Sequence, residues 1–459
     1  MRISYFIIFL LFPVSVIAQN KIKAHLQDSS SRFAYHFQFT LVDQWHGKFK
    51  APYTGPASLQ PYPEQAMSLT STVFTITKLW KNALFVFNPE VSGGKAFSGA
   101  AGIAGFPNGE IYRVGNPAPQ VYVGRAYLQQ IIPLPGYKIE HLSFTDSVTP
   151  FTDNEDMVNQ LPKNIPDKRL VLIVGKSSLA DFFDENIYSH DPRHTFLNWA
   201  LMDNGAWDYP ANTRGYTFSA IAEYDNKGFA LRIGAALEPT YANGPVLDWH
   251  INKTIGYTLE ADQHFEINDR HGEVGLLLYE NINRGGNYEQ TLALNKSGQD
   301  TTLNVSNPNT HLESKKYGLG LSLSMELTKS LSILARGGWN DGHTATWTFT
   351  EIDRTAAIGI YINHPLLKKV ENTFGLAILV NGISPQHRDF LNAGGVDFII
   401  GDGKLPHYAT ENILETFYNI AINRSTALTL DYQYVQHPAY NAERGPVRYI
   451  ASFRLHLAF

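Results

Sequence analysis

The sequence predicts an all-β protein: a transmembrane antiparallel β-barrel of about 16 strands with one or more inward-folded constriction loops. Three observations carry that reading. Long stretches alternate apolar and polar residues, as in strands whose two faces meet different environments. These stretches exceed the roughly 5–6 residues usual for strands of soluble sheets. Tight turns such as "DNKG" and "TKS" alternate with long polar connections such as 283–314, which is how the two ends of an outer-membrane barrel differ.

The chain of 459 residues begins "MRISYFIIFLLFPVSVIAQN", one Arg followed by an apolar run with Val16 and Ala18 at the small-residue positions. Residues 1–18 therefore read as a secretory signal peptide, 19–31 as a short periplasmic extension and 32–459 as a single barrel. With no cysteine at the cut, lipoprotein processing is excluded. No later segment approaches the roughly 20 apolar residues of a membrane helix, so any span must be a strand. The net charge of −5 gives no support for a nucleic-acid partner. The absence of cysteine removes disulfides, thiolate metal sites and cysteine nucleophiles. Tyrosine (24) and phenylalanine (27) are plentiful, yet mean hydropathy is −0.20, a combination that alternation produces and long apolar runs do not.

The first strand reads "RFAYHFQFTLVDQW", with Phe33, Tyr35, Phe37, Phe39 and Leu41 on one face and His36, Gln38 and Thr40 on the other. In "FVFNPE", Phe85 and Phe87 take the lipid side and leave Glu90 toward the lumen. In "YVGRAYLQQ", Arg125 and Gln129 share a parity against Tyr122, Ala126 and Leu128. "RLVLIVGK" is too uniformly apolar to assign a face to Lys176. Segment 178–213 breaks the alternation: it is aromatic, polar and partly helical in spacing, and folding into the lumen is its natural course.

Hairpins resume at 216–237, with Tyr216, Phe218, Ala220, Ala222 and Tyr224 as the apolar stripe. They continue at 317–339, and around "NRST" near residue 424. The opposite parity holds Glu223, Arg232, Glu260, Arg336, Asp431, Arg448 and Arg454, lumen-facing in a barrel. The terminal "RYIASFRLHLAF" sets Tyr449, Phe453, Leu455 and Phe459 against Arg454 and His456. Because lipid leaves no backbone group unpaired, strands span only as a closed barrel, and this segment reads as the closing strand, aromatic face to lipid.

The stretches "HFQFTLVDQWHGKFKAPYTGPASL", "NPEVSGGKAFSGAAGIAGFPNGE", "YVGRAYLQQ", "GKSSLADFFDENIYSHDPRHTFLNWAL" with "GAWDYPANTRGYT", and "LDYQYVQHPAYNAERGPVRYIASFRLHLAF" resemble the carbohydrate-selective porins, OprB type. The resemblance spans nearly the whole chain after residue 18, in order; about 240–400 matches only as generic barrel hairpins. It implies a sixteen-stranded barrel in the outer membrane of a Gram-negative bacterium, passing mono- and oligosaccharides by facilitated diffusion. It also places Glu90 and Arg125 near the narrow zone, Lys176 in the lumen, and a C-terminal Phe459 where assembly machinery reads it.

Sugars present hydroxyls and apolar C–H faces, so a sugar pore needs charged donors and acceptors on opposing walls and an aromatic ring. The candidate lining is Glu90, Arg125, Gln129, Lys176, Asp184, Asn186, Trp207, Arg232, Arg336 and Arg454. Trp207 is the candidate stacking platform. Asp181, Asp184, Asn186, Asp191 and Arg193 also fit a loop-anchoring role, with carboxylates pairing to wall arginines. Expected partners are the transported sugars, outer-membrane lipid and the barrel assembly machinery; homo-oligomers are compatible with such a barrel. No cofactor or metal is expected: 181–191 lacks calcium-loop spacing, and no histidine pair has zinc-type spacing. A general small-solute porin and an outer-membrane barrel enzyme are the alternatives; no "GxSxG"-type elbow supports the latter.

Overall fold

The computed structural model describes residues 32–459 except 114, 142–163, 300, 304, 306–313, 368–369 and 424. The expected signal peptide and the 19–31 extension lie outside the described residues. Sixteen strands close into one antiparallel barrel in which every strand pairs with its neighbours in sequence order. It starts with β1 (Phe33–His46), β2 (Glu64–Lys78), β3 (Ala83–Gly94) and β4 (Gln120–Pro133). Two short strands, β5 (Ile139–His141) and β6 (Asn164–Pro166), form a separate two-stranded sheet between β4 and β7 (Lys168–Ser177). The barrel continues through β8 (Thr217–Asn226), β9 (Phe229–Ala236), β10 (Ile255–Glu266), β11 (His271–Asn283), β12 (Ser314–Glu326) and β13 (Leu331–Asn340). It ends with β14 (Arg354–Leu367), β15 (Val370–Gly382), β16 (Glu411–Asn423), β17 (Thr426–Gln436) and β18 (Val447–Ala458).

Closure follows the alternation at both termini. β18 pairs β1 with Leu455 opposite Leu41 and Arg454 opposite Val42. Phe37 and Phe459 exchange backbone hydrogen bonds of 3.0 and 2.8 Å, and their rings stack at 6.2 Å. The apolar stripe faces outward: Ile233, Ile358 and Leu430 are more than half exposed. The polar stripe is buried, including Glu260, Arg336, Glu415 and Arg454. Exposed aliphatic bands over a charged interior invert the order of a water-soluble core and suit a lipid surround.

The short turns sit at one end. Lys227 and Gly228 of "DNKG" both have positive φ, giving β8–β9 the left-handed two-residue turn whose twist matches a hairpin. One connection departs from the rule, since β5 and β6, between β4 and β7, lie at this same end.

Three expected faces need correction. Tyr122 was expected on the lipid side. Its hydroxyl instead donates to Glu90, because the register between β3 and β4 slips between Asn88 and Pro89, leaving Gly124 as an extra residue. A bulge of this kind reverses side-chain parity between its two sides, so Tyr122 shares a face with Arg125. Tyr216 was expected to lead an outward stripe; it precedes β8, is buried, and donates to Glu90 at 3.1 Å. Arg448 lies at a second slip, between Gln433 and Val435, where Val447 is buried and Arg448 is exposed.

Candidate channel site

The segment after β7 crosses the lumen and is held by wall side chains. Arg336 of β13 pairs with the Asp184 carboxylate and donates to the Asp184 carbonyl at 2.8 Å. The Asp184 N–H donates to Glu260 of β10 at 2.6 Å. Asn186 donates to Ser322 Oγ at 3.0 Å and to the Leu323 carbonyl at 3.2 Å, both on β12. Glu415 of β16 accepts the N–H groups of Leu197 and Asn198, and Arg454 of β18 donates to the carbonyls of Pro192 and Thr195. Asn204 sits in a notch made by Gly320 and Gly338, paired neighbours on which any Cβ would collide with its amide. Each contact pairs a loop polar group that burial would otherwise leave unsatisfied.

A second inward segment lies where the sequence reading had located none. Residues 96–108, between β3 and β4, are buried apart from half-buried Ser98 and exposed Gly99. Ala104 and Gly105 donate to Glu411 at 3.0 and 2.8 Å, and Pro107 accepts from Gln44 and Gln433 at 2.7 and 3.0 Å. The sequence signal was present: "AFSGAAGIAGF" is an uncharged, small-residue run in a connection otherwise expected to meet water. The two segments lock together where Trp199 Nε1 donates to the Asn108 carbonyl at 2.6 Å.

Beside them a cavity of about 920 Å³ remains against β2–β4 and β7–β9. Glu90 is its hub. It accepts from Tyr122, from Thr72 at 2.7 Å and from Tyr216 at 3.1 Å, and lies 3.9 Å from Arg193 Nη2. Burial raises the Tyr216 pKa, with Glu90 adding to the effect, so this hydroxyl stays a donor. Arg193 pairs with Glu110 at 2.9 Å. Burial alone would lower its pKa, but Glu110, Glu90 and Asp191 outweigh this and keep it charged.

Arg125 makes a two-pronged pair with Asp181, Nε to Oδ2 at 2.7 Å, and its guanidinium lies 5.4 Å from the Tyr216 ring. Arg214 is held between two rings, 4.5 Å from Tyr112 and 4.3 Å from Tyr122, and donates to Ser92. Further along, Arg232 meets Glu223, Glu260 and Asp262, and Arg169 meets Asp225 at 2.9 Å. The lining is therefore a ladder of both signs interleaved with tyrosine faces.

Of the expected lining residues, Glu90, Arg125, Gln129 and Arg232 border this cavity. Asp184, Asn186, Arg336 and Arg454 face inward but are sealed under the loop at 3 % exposure or less, so they anchor it. Arg454 and His456 therefore do not stand in a water-filled interior; residues 191–195 cover that wall. Lys176 is opposite Phe218 of β8 and Ala126 of β4, and Phe218 is exposed on the outer face. Directly paired residues share a face, so Lys176 belongs to the outward set and its expected lumen position is wrong.

Trp207 is 1 % exposed and packs against Phe183 and Tyr209, which leaves no open face for stacking. The rings that border the cavity include Tyr112, Tyr122, Tyr127, Tyr209 and Tyr216. Arg214 and Tyr112 escaped the sequence reading because both lie in connections, where alternation assigns no face.

The carbohydrate-selective porin, OprB family model matches residues 70–459. The chain is similar to the solved high-pH structure of Pseudomonas putida OprB, with a TM-score of 0.69 and 14% identity, covering 96% of this chain and 97% of that one. It is 21% identical over 306 residues to porin AaxA of Chlamydia abortus (strain DSM 27085 / S26/3), 65% of this chain and 56% of that porin's length. The chain belongs to the carbohydrate-selective porin family, and it is an outer-membrane barrel.

Proposed function

We propose, from that membership and the lining just described, that the chain is a passive channel. It would conduct mono- and oligosaccharides into the periplasm past the Tyr112–Arg214–Tyr122 stack and the Arg125–Asp181 pair. The stack is the observation that supports this reading most. Its tyrosines offer flat apolar faces to sugar C–H groups. Planar guanidinium groups and carboxylates beside them offer charge-assisted hydrogen bonds to hydroxyls. Charges of both signs line the path, which suits a neutral, hydroxyl-rich solute. Residues 1–18 would be removed on export, and Phe459 would present the signal that barrel assembly machinery reads.

Single-channel conductance in planar bilayers with a panel of sugars as blockers tests this. Saccharides should block the channel, pyranoses more strongly than linear polyols, and Arg214→Ala and Tyr112→Ala should weaken that block. A conductance that no sugar alters would make the protein a general small-solute porin.

A further inference from the structure

At the long-loop end of the barrel lies a buried polar cluster that the channel does not use. Glu351 belongs to the connection between β13 and β14. His387 lies on the helix Pro385–Asn392, and Asp397 follows that helix in the same β15–β16 connection. Glu351 and His387 are fully buried and Asp397 is 4 % exposed. Each offers one ligand atom, and these three atoms lie within 4.8 Å of one another.

The imidazole is oriented for a ligand. Its Nδ1 is 3.1 Å from Asp353 Oδ2, and its ring stacks on Tyr288 at 4.5 Å. Asp353 is fixed in turn by the Ser384 N–H at 2.8 Å. Among the described residues, buried His387 Nε2 has no hydrogen-bond partner. A carboxylate behind a histidine, with the far nitrogen free, is the arrangement that presents imidazole to a metal.

The carboxylates are oriented too. Glu351 accepts from the N–H groups of Ile399 and Ile400 at 2.7 and 2.9 Å. Asp397 accepts from the Phe398 N–H at 2.9 Å and the Tyr288 hydroxyl at 3.0 Å. The two backbone bonds to Glu351 leave further lone pairs on its carboxylate. Arg113 acts electrostatically on both carboxylates, and Lys316 on Asp353. Three carboxylates in one dry pocket still exceed the two positive charges of Arg113 and Lys316, and burying unmatched charge is costly.

We propose that Glu351, His387 and Asp397 bind a divalent transition-metal ion, with Asp353 as the positioning residue for His387. One nitrogen and two carboxylate ligands suit zinc or manganese; calcium takes six to eight oxygens. Metal–ligand bonds of about 2.0–2.2 Å need the three groups to close by a side-chain adjustment of under about 1 Å. The ion would tie the β13–β14 and β15–β16 connections together. Through Tyr288 it would reach the helix Tyr288–Lys296, and through the Tyr440 hydroxyl, 2.8 Å from the Glu351 carbonyl, the last connection. Distant sequence positions explain why no metal spacing is visible in the chain.

The test uses the full chain, folded in detergent, stripped with EDTA and titrated with Co²⁺. Wild type should bind Co²⁺ stoichiometrically with visible ligand-field bands, and Zn²⁺ should raise its thermal midpoint. His387→Gln should lose both responses while keeping heat-modifiable migration. Asp353→Asn should keep the site with affinity weakened about 10–100-fold. Should His387→Gln fail to fold, Glu351→Gln serves the same comparison. No stoichiometric Co²⁺ binding by folded wild type, or equal binding by wild type and the ligand variants, overturns the site. Because the readouts are binding and stability, their outcome is independent of sugar conductance.

Discussion

The two sides of the lumen use the same residue types for opposite purposes. On the β10–β18 side, Arg336, Arg454, Glu411 and Glu415 are buried beneath inward segments, bonded to loop backbone or to Asp184. On the β2–β9 side, Glu90, Arg125 and Arg232 border the open cavity. Parity along the strand is identical in the two cases. What differs is which wall the loops cover, so an inward-facing charge is an anchor on one side and a channel group on the other.

Removing the cover should give the largest effect. Deleting 178–213 should raise single-channel conductance several-fold and abolish saccharide block, because the wall that segment covers would then face water too. Unchanged conductance would mean that the segment does not restrict the pore.

Breaking one anchor comes next. Arg336→Ala leaves the Asp184 carboxyl without its cation in a dry site, a loss of about 3–5 kcal/mol. Unfolding in denaturant, followed by loss of heat-modifiable migration, should register it. An Arg336→Met, Asp184→Asn double variant, which keeps a side chain suited to the positive φ at 184 and an acceptor for the Asn204 N–H, should recover most of the loss. If the double variant is as unstable as the single, the pair is not the anchor.

Channel-side substitutions should be smaller. A charge-assisted hydrogen bond is worth about 1.5–3 kcal/mol when well formed. Solvent screening reduces an exposed interaction to about 0–1 kcal/mol. Arg125→Ala and Arg214→Ala should each weaken saccharide block a few-fold without loss of stability comparable to Arg336→Ala. Full block in both would move the sugar surface elsewhere in the cavity.

Accessibility sharpens the comparison further, and the native lack of cysteine makes it clean. Cys at Arg125 or Arg232 should react with a water-soluble thiol reagent, and Cys at Arg336 or Arg454 should react only after 178–213 is removed. Cys at Phe218 or Leu321 should be shielded by lipid in both proteins. Reaction at 218 and 321 with protection at 125 and 232 would show the faces reversed.

Trp207→Phe should have the least effect on transport. The ring is enclosed by Phe183 and Tyr209, so block should stay unchanged while stability falls modestly. A selective loss of pyranose block would restore Trp207 to the sugar path.

The alternation alone determined the barrel, its closing strand and the face of most strand residues. A period of two maps directly onto two sides of a sheet, and lipid on one side enforces it locally along each strand. Where the chain slips by one residue, as at Gly124, that map fails, because pairing across strands and not sequence sets the phase. The inward course of 178–213 was legible from its broken pattern; that of 96–108 was written only as an uncharged run. Tertiary structure alone decided which lumen charges were sealed and which rings met the cavity. It also brought Glu351, His387 and Asp397 together from two separate connections. Those outcomes depend on contacts between segments far apart in the chain, and no local periodicity encodes which loop lies over which wall.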